Sequence, residues 1–197
     1  VLDELKILKE KRLWLTLAVT LFGFSSVFAY FTYISSVLID VTHIKENLIS
    51  FMLIIFGVGV TLGNLIGGKL ADWNLNKALQ LIFTIFILYF GILYFMQFNG
   101  LVMVLGVFLF GVIGFSMSPS LQYKSTLISQ DAPTLASTLN QSAFNLGNAL
   151  GAFVGGLVIT HLPVASLSLI APLLTLIGLM FLLISIYVEK QHSSITS

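Results

Sequence analysis

Gln141, Asn145 and Asn148 recur at i, i+4 and i+7 in an otherwise apolar run, and Ser26, Tyr30 and Tyr33 repeat that spacing in another. On helices each trio forms one polar stripe. Amides and hydroxyls in an apolar setting bind by hydrogen bonds, and lipid offers them no partner, so each stripe must face protein or water. Bonding between helices and contact with a bound solute both satisfy that requirement. A further run places Phe110, Gly114 and Ser118 on one side, and Phe24 and Phe28 stand beside the hydroxyl stripe as candidate cavity residues. The nearest approach to a catalytic pair is Ser116, in Gly114-Phe115-Ser116, with His161. They fall at opposite ends of their runs, on the order of 20 Å apart at 1.5 Å per helical residue, so no catalytic residue is expected.

The elements that must position these groups are membrane helices. Hydrophobic residues make up 57% of the 197-residue chain and charged residues 9%, and the mean hydropathy is +1.03, far more apolar surface than a soluble domain could bury. Six stretches are long enough to cross about 30 Å of hydrocarbon: 14–38, 48–68, 78–98, 101–121, 135–160 and 164–188. None contains Asp, Glu, Lys, Arg or His. The expected fold is therefore an all-α membrane protein, with residues 1–13 a surface linker helix and 189–197 a tail.

Charge gives the orientation. With six crossings both termini share one side, which carries Lys6, Lys9, Lys11, Arg12, Lys69, Lys77, Lys124 and Lys190 and leaves Lys45 alone on the other. That asymmetry predicts cytoplasmic termini. Trp14, Trp73, Tyr123 and Tyr187 fall near the same boundary, where amphipathic rings anchor a helix. No basic patch with interleaved aromatics points to nucleic acid, zero cysteines exclude disulfides and thiolate metal sites, and no cofactor is expected. The chain opens on Val1 and reads as a fragment.

Two blocks, Gly59–Gly68 and Gly147–Gly156, share Gly-x-x-Leu-Gly-x-x-x-Gly-Gly at an offset of 88 residues, from Gly59 to Gly147. On the span count they run in opposite directions, which predicts two inverted three-helix repeats. Gly59, Gly63 and Gly67, like Gly147, Gly151 and Gly155, are four apart and would let another backbone approach closely. Between the third and fourth spans, Asn99-Gly100 is expected to turn through positive φ.

At these residues the chain resembles the C-terminal six-helix half of a major facilitator superfamily transporter, in the drug:proton antiporter and arabinose-efflux-like branch. Leu139–Gly156 (LNQSAFNLGNALGAFVGG) is similar to that branch's eleventh helix and Phe24–Leu38 to its seventh. Gly67–Lys77 (GGKLADWNLNK) is similar to its cytoplasmic G-x-x-x-D-R-x-G-R-R signature: Gly68, Leu70, Ala71 and Asp72 match, Trp73, Leu75 and Asn76 depart, and Lys77 keeps a charge. The resemblance implies an integral protein of the plasma membrane (the bacterial inner membrane) that exports a small organic molecule such as a drug, sugar or nucleoside. Its partner would be an N-terminal six-helix half. Ser26, Tyr30, Tyr33, Ser118, Gln141, Asn145 and Asn148 would line the cavity, and Asp72 and Lys77 would act in a gating loop. No span holds a titratable group, so a proton-coupling carboxylate would lie in the other half. The competing reading is a six-helix channel or a non-transporting scaffold, although neither an Arg-rich voltage sensor nor a TVGYG-like filter is present.

Overall fold

In the computed structural model residues 4–196 are described, with side chains over 6–191, and among them every regular element is helical. A 3-10 segment, Glu4–Lys9, leads into α1 (Lys11–Phe31), followed by a single turn, α2 (Ile34–Ser36), and one π-helical turn over Val37–Val41. Three long elements come after it: α3 (Ile49–Met96), α4 (Gly100–Ile128) and α5 (Pro133–His161). The last is α6 (Leu167–Thr196). Among the described residues, five helical stretches are long and apolar enough to cross a membrane.

One of these, α3, cannot be a single crossing, because 48 residues would reach about 72 Å. Its backbone leaves the helical region at Asn74 (φ −165°, ψ 102°), and the Asn74 side-chain oxygen accepts from the Lys77 backbone N–H, an N-cap that starts a second limb. Both limbs reach the same stretch of α4. Gly59 lies against the Phe108 carbonyl, and the Tyr89 hydroxyl donates to the Gly106 carbonyl at 2.7 Å. The chain therefore folds back at Asn74.

The glycine blocks set the closest helix contacts. A Cβ built on Gly59, Gly63 or Gly67 would fall on the carbonyl oxygen of Phe108, Val112 or Ser116 of α4; one on Gly147, Gly151 or Gly155 would fall on that of Leu21, Ser25 or Ala29 of α1. In both sets the contacts advance together along the two helices. The first limb of α3 thus runs parallel to α4, and α5 runs parallel to α1. The second limb runs antiparallel to α4, since Phe86 and Tyr89 meet it in reverse order at Phe110 and Gly106. At a three-way junction, Gly178 of α6 and Gly23 of α1 close around the Phe83 ring.

Several boundaries differ from those read in the sequence. The first stretch is interrupted at Thr32–Tyr33, where no Gly or Pro marks the chain, and the break seats the Tyr33 ring over Gly155 and Gly156 while its hydroxyl donates to the Ala152 carbonyl at 2.9 Å. Residues 69–77, left between the second and third expected spans, are helical apart from Asn74. Asn99 has φ −107° and caps α4 by accepting from the Leu101 and Val102 N–H groups, which corrects the expected positive-φ turn. Among the described residues positive φ occurs at His43 alone. The linker expected over 1–13 is a 3-10 segment followed by the start of α1, and residues 1–3 lie outside the description.

Candidate functional site

Polar bonds gather toward the two ends of the bundle. At one end Thr42 donates to the Gln97 carbonyl, while the Gln97 amide donates to the Ala165 carbonyl and accepts from Ser168. Toward the lysine-rich end a chain of side-chain bonds passes from Thr20 of α1 to Asn140 of α5, then to Gln122 of α4 and Ser137 of α5. Between them lies an aromatic core. Tyr30, Phe90 and Phe110 pack edge to face at centroid distances of 5.1–5.9 Å, and Phe56 and Phe86 stack on Phe110.

The hydroxyl stripe does not converge on one open wall. Ser26 is buried and donates to the Gly23 carbonyl of its own turn, and Tyr30 is buried in the aromatic core, its hydroxyl without a hydrogen-bond partner among the described residues. Tyr33 is half-buried against α5. Phe110 and Gly114 face inward, against Tyr30 and Phe86, while Ser118 is half-buried. Ser116 donates to the Ile113 carbonyl.

The amide stripe of α5 lies at the surface of the bundle, Gln141 and Asn145 exposed and Asn148 half-buried. Phe144, between them on the same face, meets Phe24 at 4.4 Å and Phe28 at 5.8 Å. Phe24 also meets Phe115 of α4, and Phe115 and Phe31 both contact Phe56 of α3. Phe28, Phe31, Phe115 and Phe144 are half-buried. The result is an aromatic cluster drawn from four helices, with Phe24 and Phe56 buried beneath the half-buried rings of α1, α4 and α5, and with Ser118 and the amides of α5 on the same helix faces as Phe115 and Phe144. It carries no ionisable group. Such a cluster can hold an apolar or planar solute by packing and orient it through a few hydrogen bonds.

On either side of the kink at Asn74, Asp72 and Lys77 are both exposed. Nearby lies a cluster that the sequence reading did not find. Lys124, 1% exposed, donates to Glu189 of α6 at 2.5 Å and to the Asn76 side chain at 2.8 Å. Asn76 and Ser185 in turn donate to Glu189. The cluster joins α4, α6 and the second limb of α3. In the sequence Lys124 counts among the basic residues of one side, Glu189 opens the expected tail 189–197, and Asn76 departs from the loop signature. The one available signal was Ser185 and Glu189 at i, i+4 on the last helix.

No family model matches the chain. Among curated proteins, the inner membrane transport protein YdhP of Escherichia coli (strain K12) is 36% identical over 157 residues, covering 80% of this chain and 40% of YdhP. The uncharacterized MFS-type transporter YtbD of Bacillus subtilis (strain 168) is 34% identical over 165 residues, 79% of this chain and 40% of that protein. A probable sugar efflux transporter of Helicobacter pylori is 26% identical over 158 residues, again 80% of this chain and 40% of the relative. The chain thus spans about 40% of the length of these curated relatives.

Proposed function

Because the chain belongs to the major facilitator superfamily, we propose that it forms the C-terminal six-helix half of a twelve-helix carrier and rocks against an N-terminal half to export a small organic molecule. In this reading α1 with the two limbs of α3 is one three-helix repeat. The elements α4, α5 and α6 are its inverted copy. The observation that carries the reading is the reciprocal glycine packing: the first block rests on α4 and the second on α1. The glycines are related by 88 residues (Gly59 to Gly147) and the carbonyls they meet by 87 (Leu21 to Phe108).

The solute wall in this proposal is the aromatic surface with Ser118, Asn145 and Asn148, extended by Gln141 and Tyr33; Ser26 and Tyr30 lie behind it. A sugar efflux name among the relatives is compatible with hydroxyls and amides on an uncharged wall. The coupling carboxylate falls to the other half, since the apolar spans supply none. In this reading Asp72 and Lys77, both exposed beside the fold-back at Asn74, meet helix ends of that half. Both termini face the cytoplasm, by the lysine asymmetry.

The chain has no cysteine, so single cysteines can report on this wall in a carrier otherwise free of them. Asn148→Cys is expected to react with a membrane-impermeant maleimide and to be protected by transported solute. Leu157→Cys, on the opposite face of α5, is expected to stay unreactive. Equal reactivity at the two positions, with no protection by solute, would sink the assignment of the wall.

A further inference from the structure

On the side of α5 opposite Phe144, an apolar groove of about 310 Å³ runs between α1 and α5. Trp14, Ala18 and Leu21 line one wall, and Leu139, Ser142 and Leu146 the other. The one hydroxyl among these residues is already satisfied, because Ser142 donates to the Thr138 carbonyl of its own helix. From Trp14 to Leu21 the groove extends about 10 Å along α1. Beside its lysine-rich end lies the 3-10 segment Glu4–Lys9, whose Ile7 is buried in one cluster with Leu13, Leu17 and Ala143. The Trp14 indole N–H holds that segment in place by donating to the Leu8 carbonyl at 2.7 Å. Lys9 and Lys11 are exposed at this end, while Arg12 is paired with Glu10.

We propose that this groove holds an acyl chain of an anionic phospholipid from the leaflet at the lysine-rich end, with its phosphate against Lys9 and Lys11. An apolar trough that offers no hydrogen bond suits a hydrocarbon chain, and the lysines at its mouth supply the complement to a negatively charged headgroup. Trp14, 55% exposed, lies where an indole prefers the headgroup boundary. The inference needs only that α1 and α5 span the membrane, so it stands or falls separately from the solute wall.

The test uses the full-length carrier in nanodiscs with Trp14 as its sole tryptophan, titrated with brominated phosphatidylglycerol or brominated phosphatidylcholine. Phosphatidylglycerol is expected to quench Trp14 at the lower mole fraction, and Lys9→Gln and Lys11→Gln each to reduce that preference roughly fivefold. Ala18→Phe, which fills the groove, is expected to abolish the preference with both lysines present. Equal quenching by the two lipids would show ordinary boundary lipid and overturn the proposal. Absence of quenching by either would overturn it by showing that protein covers the groove.

Discussion

Replacing Glu189 by Ala is expected to destabilise the bundle by about 3–5 kcal/mol, because it strands the Lys124 ammonium in the interior. Lys124 is 1% exposed and Glu189 22%, so water screens this pair little. The same change removes the acceptor for the Asn76 and Ser185 side chains and loosens α4, α6 and the second limb of α3 together. Lys124→Met combined with Glu189→Leu is expected to recover most of the loss, since it deletes both charges and leaves apolar groups of similar size. Thermal unfolding of the purified carrier in detergent reads both effects. A single variant as stable as the wild type, or a double variant as damaged as the single, would contradict the buried pair.

Gly63→Ala and Gly151→Ala are expected to cost about 3 kcal/mol each and to abolish transport while membrane insertion persists. Each added methyl meets a main-chain carbonyl, of Val112 or Ser25, and no side-chain rotation can relieve that clash. The helices must separate instead. Gly57 and Gly68 provide the internal control, because a Cβ there meets nothing within 4 Å. Gly57→Ala and Gly68→Ala are expected to be neutral, or to stabilise by up to about 1 kcal/mol through helix propensity. If all four variants behaved alike in transport and unfolding assays, close backbone packing would not be what the glycine blocks provide.

Those glycines were legible in the sequence because spacing alone stacks residues four apart on one helix face. The apolar stretches were legible too, since charge is excluded from hydrocarbon and so marks the ends of spans. What each stripe touches was not. Periodicity assigns a face and not a neighbour, so Ser26 and Tyr30 could be grouped with Tyr33 although the bundle buries the first two and turns the third onto α5. The interruption at Thr32–Tyr33 carries no Gly or Pro, and its visible partners, Ala152, Gly155 and Gly156, are more than a hundred residues away in sequence. Asn99-Gly100 shows the reverse difficulty: its composition suits positive φ, but the same short amide also suits an N-cap, and the helix that follows takes it as one. Lys124 illustrates the limit of charge patterning. A lysine beyond an apolar run reads as a solvated end until the last helix brings a carboxylate over it.

Transport by the chain with and without its other half tests the central claim most directly. Reconstituted alone, the chain is expected to insert and to move no solute, and co-expression with an N-terminal six-helix half is expected to restore export. Solute flux or ion conductance through the chain alone would identify a channel and contradict the half-carrier account.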